Sequence, residues 1–361
     1  MLHSMHSKSA NLYVLVLLLG TAAAQSPAAN GVPVALRNLV LSTDPLAVND
    51  LTFDATYARD SIDYLRSNDP ALADRMAHSR AIAHILAHAR NFDYDVPQDS
   101  PQALVRSLLG NPNEQAARLA TCEQSVAYFS GPMLQDPRWV GDALRYLPAD
   151  FRFRGTLFLT FGYDIGVAFG SNASLNCTHA HFKDHPRELL YYAIHELHHT
   201  GFMFYQNPPK LADIRSCDDL LKLVEYSTQM EGMAVLAAYQ RRKDDNALAD
   251  DPDYVALTDQ PRMQADLASY FKDYNYLKNH RGQPADPEAW AVIHRMSSGE
   301  RLWYRVGALM AQAIERAKGR EALANSIKQG PAQFIATYLS LNPAQTAGQS
   351  GLRVEITSCR D

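Results

Sequence analysis

A five-residue run, His195-Glu196-Leu197-His198-His199, constrains this chain more than any other feature. It continues an apolar stretch, Leu189-Leu190-Tyr191-Tyr192-Ala193-Ile194, of the kind that forms a helix buried in a core. Residues four apart on a helix lie about 40° apart around its axis. His195 and His199 can therefore each offer a ring nitrogen to one metal ion. Glu196, rotated by about 100° from His195, falls beside that ion rather than on it. There a carboxylate can take a proton from an attacking water. The boundaries read as Asp184 or His185 for the N-cap, Pro186 in the first turn, Glu188 early in the helix and Gly201 as its end.

The H-E-x-x-H spacing resembles the zincin signature of zinc metallopeptidases. Catalytic zinc usually takes three protein ligands and keeps a fourth position for water. Metzincins place a third His six residues after the second, but Tyr205 stands there and the next His is His280. A carboxylate is the expected third ligand, and Asp213, Asp218, Asp219, Glu225 and Glu231 are the candidates. Residues 217–240 carry a strong helical pattern with Glu231 in its middle. An acid among apolar neighbours is costly unless paired or metal-bound, and Gly232 beside it permits close approach of another helix. Asp213, Asp218 and Asp219 read as loop or helix-start acids, with Glu225 in reserve.

Glu231-Gly232-x-Ala234 resembles the third-ligand helix of gluzincins, especially their poorly characterised exported bacterial members. The resemblance covers residues 151–240 and implies Zn²⁺ held by His195, His199 and Glu231, with Glu196 as general base. It also points to Tyr304 or Arg305, at the start of a later helix, as a donor to the oxyanion. Their plainer reading is a core aromatic and a surface Arg. His198 reads as a pocket-wall residue or a support behind the ligands, rather than a ligand. Two departures stand out: Val235 and Leu236 occupy the place of the usual supporting carboxylate, and Met230 replaces an Asn-Glu pair.

Just before the motif, 155–161 is rich in β-formers with Leu157, Leu159 and Phe161 on one face. Gly162-Tyr163-Asp164 marks a turn, and 165–169 and 173–177 read as further strands. In zincins such a sheet lies over the active-site helix, and its edge pairs with an extended peptide. The resemblance places that edge within 167–175. The fold class is α+β, mainly α and zincin-like, with the sheet packed on the H-E-x-x-H helix.

Residues 1–24 read as a secretory signal peptide, with an apolar run at 12–19 and Thr21-Ala22-Ala23-Ala24 before the cut. The divisions that follow are a helical region at 25–150 opening on a loose linker (25–41), a catalytic core at 151–245 and a helical lobe at 246–361. The helical region, with a helical pattern from residue 50 onward, serves as a lobe, a cap or a prosegment. No later stretch is apolar enough to span a membrane. The net charge is −5, with no polybasic run, which argues against a nucleic-acid partner. Cys122, Cys177, Cys217 and Cys359 allow two disulfides in three connectivities; a Cys177–Cys217 bridge would pin the loops around the motif. Asn172 and Asn176 open glycosylation sequons, relevant in a eukaryotic host. His84 and His88 are four apart but read as surface or packing residues, while His179, His181 and His185 are equally pocket-lining or ordinary loop residues. The functional expectation is a secreted or periplasmic zinc metallopeptidase acting on a peptide or protein substrate. The alternatives are a degenerate zincin kept as a metal-containing binding module and a zinc hydrolase of non-peptide amides or esters.

Overall fold

The computed structural model describes residues 34–36 and 50–342, apart from residue 112. The expected signal peptide (1–24) and Cys359 lie outside the described residues. One mixed sheet of five strands, ordered β1-β2-β3-β5-β4, is built from β1 (Val34–Leu36), β2 (Asp50–Asp54), β3 (Arg154–Thr160), β4 (Gly166–Phe169) and β5 (Asn172–Asn176). β3 runs parallel to both β2 and β5, whereas the β1–β2 and β4–β5 pairs are antiparallel. β3 is buried on both faces over its last five residues, as an interior parallel strand must be.

The crossover from β2 to β3 is helical: α1 (Thr56–Ser67), α2 (Pro70–Ala77), α3 (Arg80–Phe92), α4 (Pro101–Leu109), α5 (Gln115–Ser130), α6 (Pro132–Gln135) and α7 (Val140–Leu144). After the sheet come α8 (Glu188–Tyr205), α9 (Cys217–Asp244), α10 (Pro252–Thr258), α11 (Gln260–Asn279) and α12 (Pro287–His294). α13 (Leu302–Lys318), α14 (Arg320–Gln329) and α15 (Pro331–Leu341) complete the described chain. The fold is α+β and mainly α, and no described helix is long and apolar enough to cross a membrane.

The period-two alternation of strands assigns the two faces of the sheet. Phe158 pairs with Ser174, which pairs with Val167, and the Phe158 ring lies 5.7 Å from that of His84 on α3. Leu159 pairs with Leu175, which pairs with Gly166; this opposite row faces α8, where Gly166 meets Glu196. The sheet is thus clamped between α3 and the motif helix, with β4 as the edge strand on the motif side and β1 at the other edge. Of the expected edge segment, the β4 part lies at the edge and β5 lies inside.

Several boundaries differ from the sequence reading. β1 falls in the expected linker, and β2 takes the first five residues of the segment expected to be helical from residue 50 onward. β2 alternates buried Leu51 and Phe53 with more open Asp50, Thr52 and Asp54, a strand pattern too short to stand out before a long helical one. α8 begins at Glu188 rather than near Pro186, because residues 185–190 are joined by tight turn bonds such as Glu188 N–H to the His185 carbonyl (2.9 Å). Gly201 does not end α8; it lies buried within it, where a Cβ would run into the Leu147 side chain. The disulfide joins Cys122 to Cys177, and Cys217 is a buried free thiol, so the Cys177–Cys217 bridge does not form. Both sequon asparagines hydrogen-bond within the fold. Asn176 is buried, accepts from the Gly162 and Thr178 N–H groups and donates to the Tyr163 carbonyl. Asn172 Oδ1 accepts from the Thr156 N–H.

Candidate metal centre

α8 and α9 carry the centre. α9 starts on a capping box in which Ser216 and Asp219 satisfy each other's backbone, as expected of an acid at a helix start. Fifteen residues after Ser216, and so about four turns into the helix, α9 presents Glu231 to α8. One carboxylate oxygen, Glu231 Oε2, stands 3.1 Å from His195 Nε2 and 3.1 Å from His199 Nε2. The two imidazole rings are 4.4 Å apart and nearly perpendicular, which aims both nitrogens at one point. The side chains of His195, His199 and Glu231 are 14%, 7% and 13% exposed, so the cluster is enclosed but open on the His195–Glu231 side. Among the described residues, this group of three can hold a metal ion, with no fourth His, Cys, Asp or Glu in it.

The electrostatics suit a cation. Burial works against a charge on Glu231, but the His199 and His195 imidazoles outweigh it and hold the carboxyl well below its usual range. Burial, aided by the charge of His199, pulls His195 down to about 4. Burial also opposes charge on His199, yet Glu231 raises it above its ordinary value. Two nitrogens and one ionised oxygen converging inside a low-dielectric pocket form a donor set that fits zinc.

Glu196 is buried beside this group, and burial pushes its carboxyl up to about 8. Its Oε1 would lie 2.6 Å from a Cβ built on Gly166, so the edge strand passes directly over it. His198 is fully buried within α8. The Tyr304 ring lies nearly parallel to that of His195 at 6.4 Å. Burial, then Glu231, raises its phenol. Arg305 is committed elsewhere, donating to Asp253 at 2.8 Å and to Asp266 at 3.5 Å. Glu225 accepts from the Tyr274 hydroxyl, and Asp219 is used by its cap.

The remaining histidines do not join the group. His88 Nδ1 contacts the Tyr163 hydroxyl at 2.8 Å, and His84 packs on Phe158. Burial draws the two down to about 3 and about 4 respectively, as packing histidines in a core. His181 Nε2 meets Glu188 Oε2 at 2.8 Å, and His185 is exposed. Together with Asp251, His181 and Glu188 make a second group of ligand type. A cation already sits there: the buried Arg242 guanidinium donates twice to Glu188 and lies 3.6 Å from Asp251.

The family described as "Putative zinc dependent peptidase (DUF5700)" matches residues 138–341. The chain belongs to this family. The matched span of the DUF5700 family begins just before α7 and closes with α15, so it takes in both metal-centre helices and most of the sheet. No curated protein and no solved structure matches the chain.

Sequence reasoning missed the surroundings of the DUF5700 centre. Asp164, in the turn before β4, accepts from the Tyr94 hydroxyl at 2.8 Å, and Arg301 lies over the Tyr304 ring, 3.8 Å from its centroid. Gly162-Tyr163-Asp164 reads only as a turn, and nothing in the sequence pairs Arg301 with a residue on another helix.

Proposed function

We propose that this protein is a zinc-dependent metallopeptidase, exported to the periplasm or the exterior, in which Glu196 is the general base. The observation that carries the reading is the convergence of His195 Nε2, His199 Nε2 and Glu231 Oε2 beside a buried carboxylate that does not join them. A purely structural site would be closed by a fourth ligand and would have no use for Glu196. Export is supported by the apolar leader read at 1–24 and by the Cys122–Cys177 disulfide, which persists in an oxidising compartment.

Zinc held by His195, His199 and Glu231 would supply Lewis acidity toward the scissile carbonyl and lower the pKa of water. Glu196 takes the proton of the attacking water and returns it to the leaving amine. Tyr304, whose ring lies 6.4 Å from that of His195, is the donor proposed for the oxyanion. β4, an edge strand above Glu196, offers backbone donors and acceptors to an extended peptide.

A peptide-library digest comparing wild type with Glu196→Gln tests this. Cleavage at defined sites by wild type, reduced by several orders of magnitude in the variant at equal zinc content, is expected. Equal cleavage by both would remove Glu196 from the mechanism. Hydrolysis of esters or non-peptide amides with every peptide left intact would reassign the substrate.

A further inference from the structure

We propose that Arg301 is a positioning residue for Tyr304: clamped by Asp253, its guanidinium holds the phenol ring against His195 and polarises the hydroxyl toward donation. The inference rests on the role proposed for Tyr304. The Arg301 Cζ stands 3.8 Å from the Tyr304 ring centroid, a close cation–π contact, and that ring is nearly parallel to the His195 ring. Arg301 Nε and Nη2 both reach Asp253 Oδ2 at 2.7 Å. Asp253 is buried and is held from the other side by Arg305 Nε. A positive charge fixed over the face of a phenol favours negative charge on its oxygen, and so makes the O–H a stronger donor.

The backbone supports the same reading independently. Arg301 is the N-cap of α13 and has φ of +54°, the left-handed region that a bulky side chain rarely adopts. It follows a turn of π-helix, Arg295–Gly299. Two uncommon conformations within seven residues, immediately before Tyr304, mark a segment whose strain is tolerated for where it puts side chains. A regular N-cap would start α13 equally well but would aim residue 301 differently. The Arg301 side chain is 34% exposed.

The test is a double-substitution cycle with fluorescein-labelled casein, using R301M alone and in Y304F. With zinc content unchanged, R301M is expected to lower kcat roughly tenfold or more with KM within about twofold. In the Y304F background the same substitution is expected to cost less than about twofold. R301K, which keeps the charge but not the plane, should recover part of the loss and replaces R301M in the cycle if that variant does not fold. Equal losses in both backgrounds, or a rise in KM alone, would mean that Arg301 acts on substrate or on the fold, and would overturn the proposal. A second readout needs no activity. In zinc-free protein carrying 3-fluorotyrosine, the ¹⁹F resonance of Tyr304, assigned by its loss in Y304F, should shift in R301M or R301K. A resonance that stays in place overturns the coupling even where the peptidase reading stands, and a shift sustains it even where casein is not cleaved.

Discussion

Gly232 on α9 lies backbone to backbone against Gly307 on α13; a Cβ on either would collide with main-chain atoms of the other helix. The crossing stands one residue from Glu231 and three from Tyr304, so it sets the distance between the helix that completes the metal group and the helix that brings the phenol. Neither glycine is free to gain a side chain. Gly232→Ala or Gly307→Ala is expected to destabilise the protein by about 3 kcal/mol and to weaken zinc retention together with stability. Thermal melts and zinc content check this, and an alanine variant with wild-type values for both would contradict it.

Glu196 and Gly166 make a second pair. Gly166→Ala places a methyl 2.6 Å from Glu196 Oε1, so the carboxylate must move while His195, His199 and Glu231 stay. The expected outcome is zinc bound at the wild-type level with kcat on casein reduced at least tenfold.

Burial of the Glu196 carboxyl also has a pH signature in the zinc-free protein. Its folded value, about 8, lies above the ordinary value of 4.5. Its favourable contribution is therefore fully present below pH 4.5 and is lost as pH rises toward 8, because only the unfolded chain ionises freely in that window. Glu196→Gln should gain stability over wild type across the same window, on the order of 4 kcal/mol at its upper end. Denaturant melts at pH 4.5 and pH 8 read the difference, and a constant gap would contradict the burial argument.

Glu188 and Arg242, both 1% exposed, form a buried ion pair with His181 and Asp251 around it. Burial opposes the Glu188 charge, but His181 and Arg242 prevail and hold the carboxyl below 4.5. The pair's contribution is present above pH 4.5 and lost as pH falls through that depressed value. Glu188→Gln leaves the buried Arg242 with only the more distant Asp251, at 3.6 Å, as counter-charge, at a cost of about 3 kcal/mol at pH 7, and the deficit should shrink in acid. A variant equally destabilised at pH 7 and pH 3 would contradict this.

Much of the centre is legible in the sequence because its signals are local. Four-residue spacing alone turns His195 and His199 to one side, and apolar neighbours with Gly232 beside it mark Glu231 out from Glu225 in the same helix. The strands at 154–160, 166–169 and 172–176 lie within a residue of where β-formers and the Gly162 turn put them. What escaped depends on contacts between distant segments. Gly201 carries the residue type of a helix stop, but its reason is the Leu147 side chain from another element. Cysteine spacing cannot say that Cys122 on α5 meets Cys177 at the end of β5. Asn176 looks like a sequon because its neighbours fit one, whereas its work is to tie the 162–165 turn. Arg301, Asp253 and Tyr304 belong to two helices and a cap that periodicity treats separately.

The most direct measurement is zinc per chain by mass spectrometry, with casein hydrolysis followed on the same samples, for wild type, Glu196→Gln and Glu231→Gln. The convergence of His195, His199 and Glu231 predicts one zinc per chain in wild type and in Glu196→Gln, with hydrolysis only in wild type, and sharply reduced zinc in Glu231→Gln. Full zinc occupancy and hydrolysis in Glu231→Gln would contradict the three-residue centre.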